Sequence, residues 1–468
     1  MKPMILSAAM LCLAAPMANA AAPESPQGAA ALSLYRDIVE IRSAAGHGKV
    51  PEVAARAVKD LKAAGFADAD IKTVPMGETA YLLVRYPGKA GSRKRPVAFL
   101  AHMDVVDANP EDWSFDPFVL REKDGDFLGR GTIDNKMGVA HLTRAFADLK
   151  TSGFVPDRDL YLAFTGDEET GMVTTRALVD ALKPMKLEYA LNSDAGGGAL
   201  RPDGKPMGYG MQVAEKTFAT FDVTIRNEGG HSSRPRKDNA IYDLAALLKN
   251  VEALKFPIMA NSVTRTTFAA RAKQMQPAQP QVAEMLRRFS ENPDDAEAAA
   301  ALSSNAELEP EMRTTCVATM LSAGHAENAL PQRASAAVNC RIFPGVDVAT
   351  VQAALEQAGG NPKAEWKVRG TPTASPISEP RPDVTAAVKS ALSPHYPGVA
   401  VMPYQESGGT DGMWFRIAGV PTYAISPLFM DMKKMRAHGL DENAPVASFY
   451  NGLEYWPHLI RTLAGSSK

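Results

Sequence analysis

Seven residues with metal-binding side chains stand in order along the chain: His102, Asp104, Asp134, Glu168, Glu169, Asp194 and His438. Carboxylate oxygens and imidazole nitrogens are the donors that hard and borderline divalent cations take. Several of them follow an apolar run. "VAFLAHMDVV" carries the first two, "GRGTIDNKMG" the third, "YLAFTGDEETG" the glutamate pair and "YALNSDAGGG" the next aspartate, while "MRAHGLDENAP" carries the last histidine. Five such ligands with one shared carboxylate would hold two metals close together. Two adjacent metals activate water, which points to hydrolysis.

Positioning these side chains requires a layered α/β scaffold. Ala29 to Ser43 and Pro51 to Ala64 have helical apolar spacing, the second closed by Gly65. "AYLLVRYPG", "PVAFLAHMD", "DLYLAFTGD" and "YALNSD" read as short buried strands, with "KMGVAHLTRAFADLK" as a helix among them. Ligands at strand C-termini fit the way open α/β sheets place their sites. Near Met211 the pattern changes. "KTFATFDVTIRNEGGHSSRP" alternates with period two and reads as a half-exposed strand, followed by a helix over Asn239 to Leu254. Met275 to Pro310 reads as short helices and loops. Two antiparallel-type strands then surround "HAENALP", before a helix at Val346 to Gln357 and a strand near Trp366. "TPTASPISEPRPD" leads back to α/β character: helices at Asp383 to Leu392 and Pro445 to Leu463, and a Gly-rich turn in "SGGTDGMWFRIAG". The expected division is 21–214 and 374–468 for one domain, with an α+β domain at 215–373 inserted in it.

At 468 residues the chain is long enough for two domains. A formal charge of −2 leaves no electrostatic footprint for nucleic acid or an acidic membrane. Lys2, the apolar stretch from Met4 to Ala15 and the small residues Ala18 and Ala20 form a secretory leader pattern, with cleavage expected after Ala20. The alternative is an N-terminal membrane anchor, for which the apolar run is short against the ~20 residues of a span. The expectation is export, to a bacterial periplasm or beyond, without a lasting membrane anchor. Removing residues 1–20 removes Cys12 and leaves Cys316 and Cys340. If Gly324 pairs with Gln332, Cys316 faces Cys340, so a disulfide and two separate buried thiols both remain open.

Taken together, these motifs resemble the dizinc metallopeptidase family that includes aminoacylase, carboxypeptidase G, carboxypeptidase S and succinyl-diaminopimelate desuccinylase. "HMDVVDANPEDWSFDPF", "GRGTIDNKMG", "GDEETG", "EGGHSSRP", "ENALPQRASAAVNCRIFPG" and "SGGTDG" stand in family order with family-like gaps. The resemblance implies a zinc-peptidase-like catalytic domain, a central mixed sheet flanked by helices, with an inserted α+β lid or dimerisation domain. It implies two zinc ions, for which the ligands also admit cobalt or manganese. Asp134 would bridge the metals, His102 and Asp194 would complete one site, and Glu169 and His438 the other. Glu168 would be the general base and Asp104 would orient the His102 imidazole. The residue after the bridging carboxylate, Asn135, stands where the family often has a cis peptide.

By the same resemblance, His231 would donate to the oxyanion, and in dimeric relatives that histidine comes from the partner subunit. Asn328 and Arg341 would contact the substrate's carbonyl or carboxylate. The turn at Gly408, Gly409 and Thr410 could receive a terminal carboxylate or be simply a tight turn. Met275 to Pro310 looks like an addition of the carboxypeptidase S kind. A homodimer follows if that addition leaves the pairing strand or helix uncovered, and a monomer if it covers them. The expected activity is exopeptidase-like hydrolysis of a peptide or N-acyl-amino-acid amide by metal-bound hydroxide. The alternatives are a hydrolase of a non-peptide carbamoyl or acyl amide, and a catalytically silent binding protein.

Overall fold

The computed structural model describes residues 24–276, 278–306 and 308–465; the expected leader, with Cys12 and the bond after Ala20, lies outside them. Four apolar runs form the centre. Leu160–Thr165, Val97–His102, Tyr189–Asn192 and Thr422–Ala424 lie side by side and parallel, every residue buried. Strands covered on both faces have no polar side to show, so their sequences run apolar rather than alternate. Phe99, Ala101, Leu162 and Phe164 point to one face, where the helices Pro26–Val39, Val50–Ala63, Lys136–Thr151 and Val446–Ala464 pack. Ala98, Leu100, Tyr161 and Ala163 point to the other, against the helices Val173–Leu182 and Gly412–Ile417. Further strands extend both sides into a mixed sheet of ten among the described residues; antiparallel pairings lead to Ile71–Met76 on one flank, and Phe429–Met430 ends the other, parallel to Gly197–Leu200. The first helix begins at Pro26 rather than Ala29, because Ser25 caps it by accepting the Gly28 amide and Pro26 suits its first turn.

The long strand Pro206–Glu215 of this sheet runs through Lys216 directly into Thr217–Arg226 of a second, four-stranded sheet. That sheet is antiparallel, ordered Thr315–Ala323, Arg333–Ile342, Thr217–Arg226, Ala364–Val368. Ala219, Phe221, Val223 and Ile225 face the helices Ala240–Ala253 and Val348–Gly359, giving the period-two pattern its buried half. Cys316 pairs with Cys340 across two strands and the two form a disulfide. The expected register of the loop is off by one, however. The Gly324 amide donates to the Arg333 carbonyl rather than pairing with Gln332, and a β-bulge between Ala318 and Met320 absorbs the difference before the cysteines meet.

Within residues 215–373 the helices Ser262–Met275, Pro280–Glu291 and Ala296–Ser303 enclose a core of their own around Phe268, Leu286, Phe289 and Leu302. The first of them lies along the Val401–Glu406 strand of the large sheet. There Thr267 donates to the Pro403 carbonyl, and Asn261 Nδ2 donates to Gln405 Oε1 at 2.8 Å. The added helices therefore leave the outer strand Thr315–Ala323 uncovered, with Val317, Met320 and Leu321 more than 60% exposed.

Candidate metal centre

His102 is the last residue of its strand and is fully buried. Glu168 and Glu169 follow Thr165 on the next strand, and Asp194 follows Asn192 on the other neighbour. Parallel strands end at the same rim, so residues distant in sequence meet there. Asp134 arrives on the turn before the helix Lys136–Thr151, and His438 on a loop at a positive φ of 61°.

Asp134 turns one oxygen to each histidine: Oδ1 lies 2.8 Å from His102 Nε2 and Oδ2 lies 3.0 Å from His438 Nε2. Asp194 Oδ1 stands 3.2 Å from His102, and Glu169 Oε1 stands 2.9 Å from His438. Donor atoms of His102, Asp134 and Glu169 fall within 4.8 Å of one another, and so do those of His102, Glu168 and Asp194. Burial pushes the Asp194 carboxyl up to about 7, the nearby Asp134 adding to the effect against the pull of His102. Burial, with Asp194 beside it, also raises Glu168 well above the glutamate range. Hydrogen bonds to Asp134 and Glu169 raise His438 to about 10. Carboxylates packed this closely repel one another, and only two imidazoles contact them directly among the described residues. An all-nitrogen-and-oxygen donor set with surplus buried negative charge fits two divalent cations.

Asp104 meets both His102 and the glutamate pair. The His102 Nδ1 lies 3.0 Å from the Asp104 backbone carbonyl and 3.5 Å from its carboxylate. The carboxylate also accepts the backbone amides of Glu168 at 3.2 Å and Glu169 at 3.1 Å. It sets the turn that presents both glutamates. The Asp134–Asn135 peptide is cis, and Asn135 Nδ2 donates to Asp194 Oδ1 at 2.8 Å.

Three further acids shape the centre. Glu442, wholly buried, accepts the amides of Gly131 and Ile133 at 2.9 Å, that of Asp134 at 3.2 Å, and Arg130 Nη1 at 2.8 Å. Asp411, buried beneath the site, receives the hydroxyls of Thr165 and Thr175. Glu406 closes the turn of the "SGGTDG" motif, accepting the amides of Ser407 at 2.7 Å and Gly408 at 3.2 Å. The Thr410 amide goes to Glu215 Oε2 at 3.0 Å. Two of the three amides expected to receive a substrate carboxylate, those of Gly408 and Thr410, are therefore already taken; Gly409 is exposed. Sequence signals for these acids were weak: Glu442 and Asp411 sit inside the recognised motifs, but no spacing marks an acid that binds backbone amides.

Arg341 reaches this turn from the second sheet, Nη1 donating to the Ser407 carbonyl at 2.9 Å, with its guanidinium 4.8 Å from the Phe218 ring centroid. His231 and Asn328 do not join the cluster. They lie together and exposed on the second unit, where the Ser232 amide donates to the Asn328 carbonyl and Ser233 Oγ lies 2.8 Å from His231 Nδ1.

Residues 98–462 match the family described as peptidase family M20/M25/M40. N-fatty-acyl-amino acid synthase/hydrolase PM20D1 from Homo sapiens is 27% identical over 383 residues, covering 78% of this chain and 74% of its own. Probable carboxypeptidase S-like 2 from Dictyostelium discoideum is 25% identical over 379 residues, covering 78% and 71%. In fold, the M20 family metallo-carboxypeptidase Sso-CP2 from Sulfolobus solfataricus superposes with a TM-score of 0.68 at 16% identity, covering 92% of this chain and 98% of its own. With that match running from the strand that ends in His102 to the last helix, the chain belongs to peptidase family M20/M25/M40.

Proposed function

We propose that the protein is an exported hydrolase that cleaves the amide bond of a peptide or an N-acyl amino acid next to a free carboxylate. The observation that carries this reading is Asp134, one oxygen toward each histidine, with Glu168 beside them and paired to neither. His102, Asp194, Glu169 and His438 would hold two zinc ions with Asp134 between them. Bound there, the ions would polarise the scissile carbonyl and bring the pKa of the attacking water toward ~7. Glu168 takes the proton from that water as its oxygen bonds to the carbonyl carbon. It returns the proton to the nitrogen as the C–N bond breaks, leaving an acid and an amine. Buried beside the candidate ligands, its carboxylate is placed both to take that proton and to give it back.

Arg341, held by Ser407 and Phe218, offers a planar fork for the substrate carboxylate. The printed names of the relatives, an N-fatty-acyl-amino acid hydrolase and a carboxypeptidase S-like protein, agree with an acyl or peptidyl group on one side of the amide and a carboxylate on the other. His231, exposed and apart from its own cluster, would serve the site of a second copy docked along the uncovered Thr315–Ala323 strand. The Cys316–Cys340 disulfide fits an oxidising compartment, as the leader pattern does.

Metal analysis joined to a hydrolysis screen of dipeptides and N-acyl amino acids tests the reading. Two equivalents of zinc, replaceable by cobalt or manganese, and turnover of one of these classes are expected. A fully metal-loaded protein inert toward both classes would end it. Export predicts a mature N-terminus at Ala21 in the periplasmic or secreted fraction.

A further inference from the structure

The turn after the Val401–Glu406 strand links the metal-type cluster to Arg341. At one end Asp411 is anchored to Thr165 and Thr175 beneath the Glu168 turn; at the other the Ser407 carbonyl holds Arg341. Between them Glu406 folds back into its own backbone. Its Oε1 accepts the Ser407 and Gly408 amides, and its Oε2 accepts the Tyr404 hydroxyl at 3.0 Å. That hydroxyl also accepts the amide of Gly196 at 3.1 Å, two residues beyond Asp194. Glu406 is thus linked through Tyr404 and Gly196 to the loop of Asp194 and through Ser407 to Arg341, and it is half-buried rather than sealed. Successive backbone amides at a glycine-rich turn are an anion site. Here the anion is the protein's own.

We infer that Glu406 determines specificity: it fills the anion-binding turn, so the cleft takes a substrate with one free carboxylate, held by Arg341, and rejects a second carboxylate elsewhere in the molecule. An added anion meets a fixed negative charge and finds the Ser407, Gly408 and Thr410 amides already committed, so discrimination comes from a repulsive element as well as an attractive one. The substrate class narrows to N-acyl amino acids or dipeptides whose acyl group and side chain are uncharged or cationic. This inference rests on the amide-hydrolase reading above.

The test compares matched pairs on the metal-loaded protein: N-(4-methylpentanoyl)-alanine against N-succinyl-alanine, and N-acetyl-methionine against N-acetyl-glutamate. The wild type should favour the neutral member of at least one pair by ~tenfold or more in kcat/KM at low salt, the gap narrowing as salt screens the charge. Glu406→Gln keeps an acceptor for the two amides without the charge, and should close that gap by about tenfold. A merely structural role would lower both members together. Equal rates in the wild type overturn the inference whatever the variant does, and so does a ratio that the variant leaves unmoved. If the wild type turns over none of the four, the wider screen of dipeptides and N-acyl amino acids decides the amide-hydrolase reading. Calorimetric affinities of the same four compounds then decide the inference, and it falls if charged and neutral members bind the wild type equally.

Discussion

Glu442 holds the loop that aims Asp134: three amides and a buried arginine converge on one carboxylate. Glu442→Gln leaves the Arg130 charge buried without its counter-ion, so a loss of about 3–5 kcal/mol is expected in denaturant unfolding. Metal affinity should fall about ten- to a hundredfold in a chelator competition, because an orienting group behind a ligand is lost. Glu168→Gln should behave in the opposite way. The fold and both metals are retained while kcat drops by about 10²–10⁴, and full activity in this variant would remove Glu168 from the mechanism. The candidate ligands were legible in sequence because metal chemistry admits few side-chain types and the motifs follow apolar strands. Glu442, Asp411 and Glu406 were not, because an acid that binds backbone amides is defined by what folds against it. Asp104 was legible as important, but that its carboxylate also holds the Glu168–Glu169 turn, besides lying 3.5 Å from His102 Nδ1, shows only in the structure.

Among the elements, Lys216 marks the crossing where one strand leaves the large sheet and enters the second. Its ammonium donates to the Arg313 carbonyl at 2.6 Å. Burial lowers its pKa to about 8, with Arg341 adding to the effect and Glu311 opposing it. The folded value lies below the ~10.4 of an unfolded lysine, so the unfolded chain binds the extra proton between those pH values. Stability should therefore rise with pH across about 8 to 10.4 through this group, because the cost of a buried charge disappears. The Tm difference between wild type and Lys216→Met, followed over that range, isolates it: the wild type should gain on the variant as pH rises, and a flat difference refutes the assignment. Buried parallel strands were readable from their apolar runs. The Ala318/Met320 bulge was not, since a one-residue irregularity leaves the alternation on either side intact. Nor does helical periodicity say which sheet a helix will cover, so the contacts of the helix Ser262–Met275 and its cap Asn261 with the Val401–Glu406 strand show only in the structure.

At the scale of the molecule, the Thr315–Ala323 strand ends its sheet with no further strand beside it among the described residues, and it exposes Val317, Met320 and Leu321. Such an edge is ordinarily blunted or paired. A second copy joined there should give a dimer by light scattering, and Leu321→Arg should give a monomer that keeps its metals but loses most activity, His231 having no partner site to serve. A monomeric wild type with full activity would refute this. Glu442 and His438 have a consequence for synthesis. Asp134 is made about 300 residues before His438 and Glu442, the groups that would share its metal and that aim it. A nascent chain that has not reached them carries only part of the candidate centre, and a chain passed unfolded across a membrane would be metallated only on the far side, once His438 has arrived. Metal content would then report that this distant segment has folded back onto Asp134.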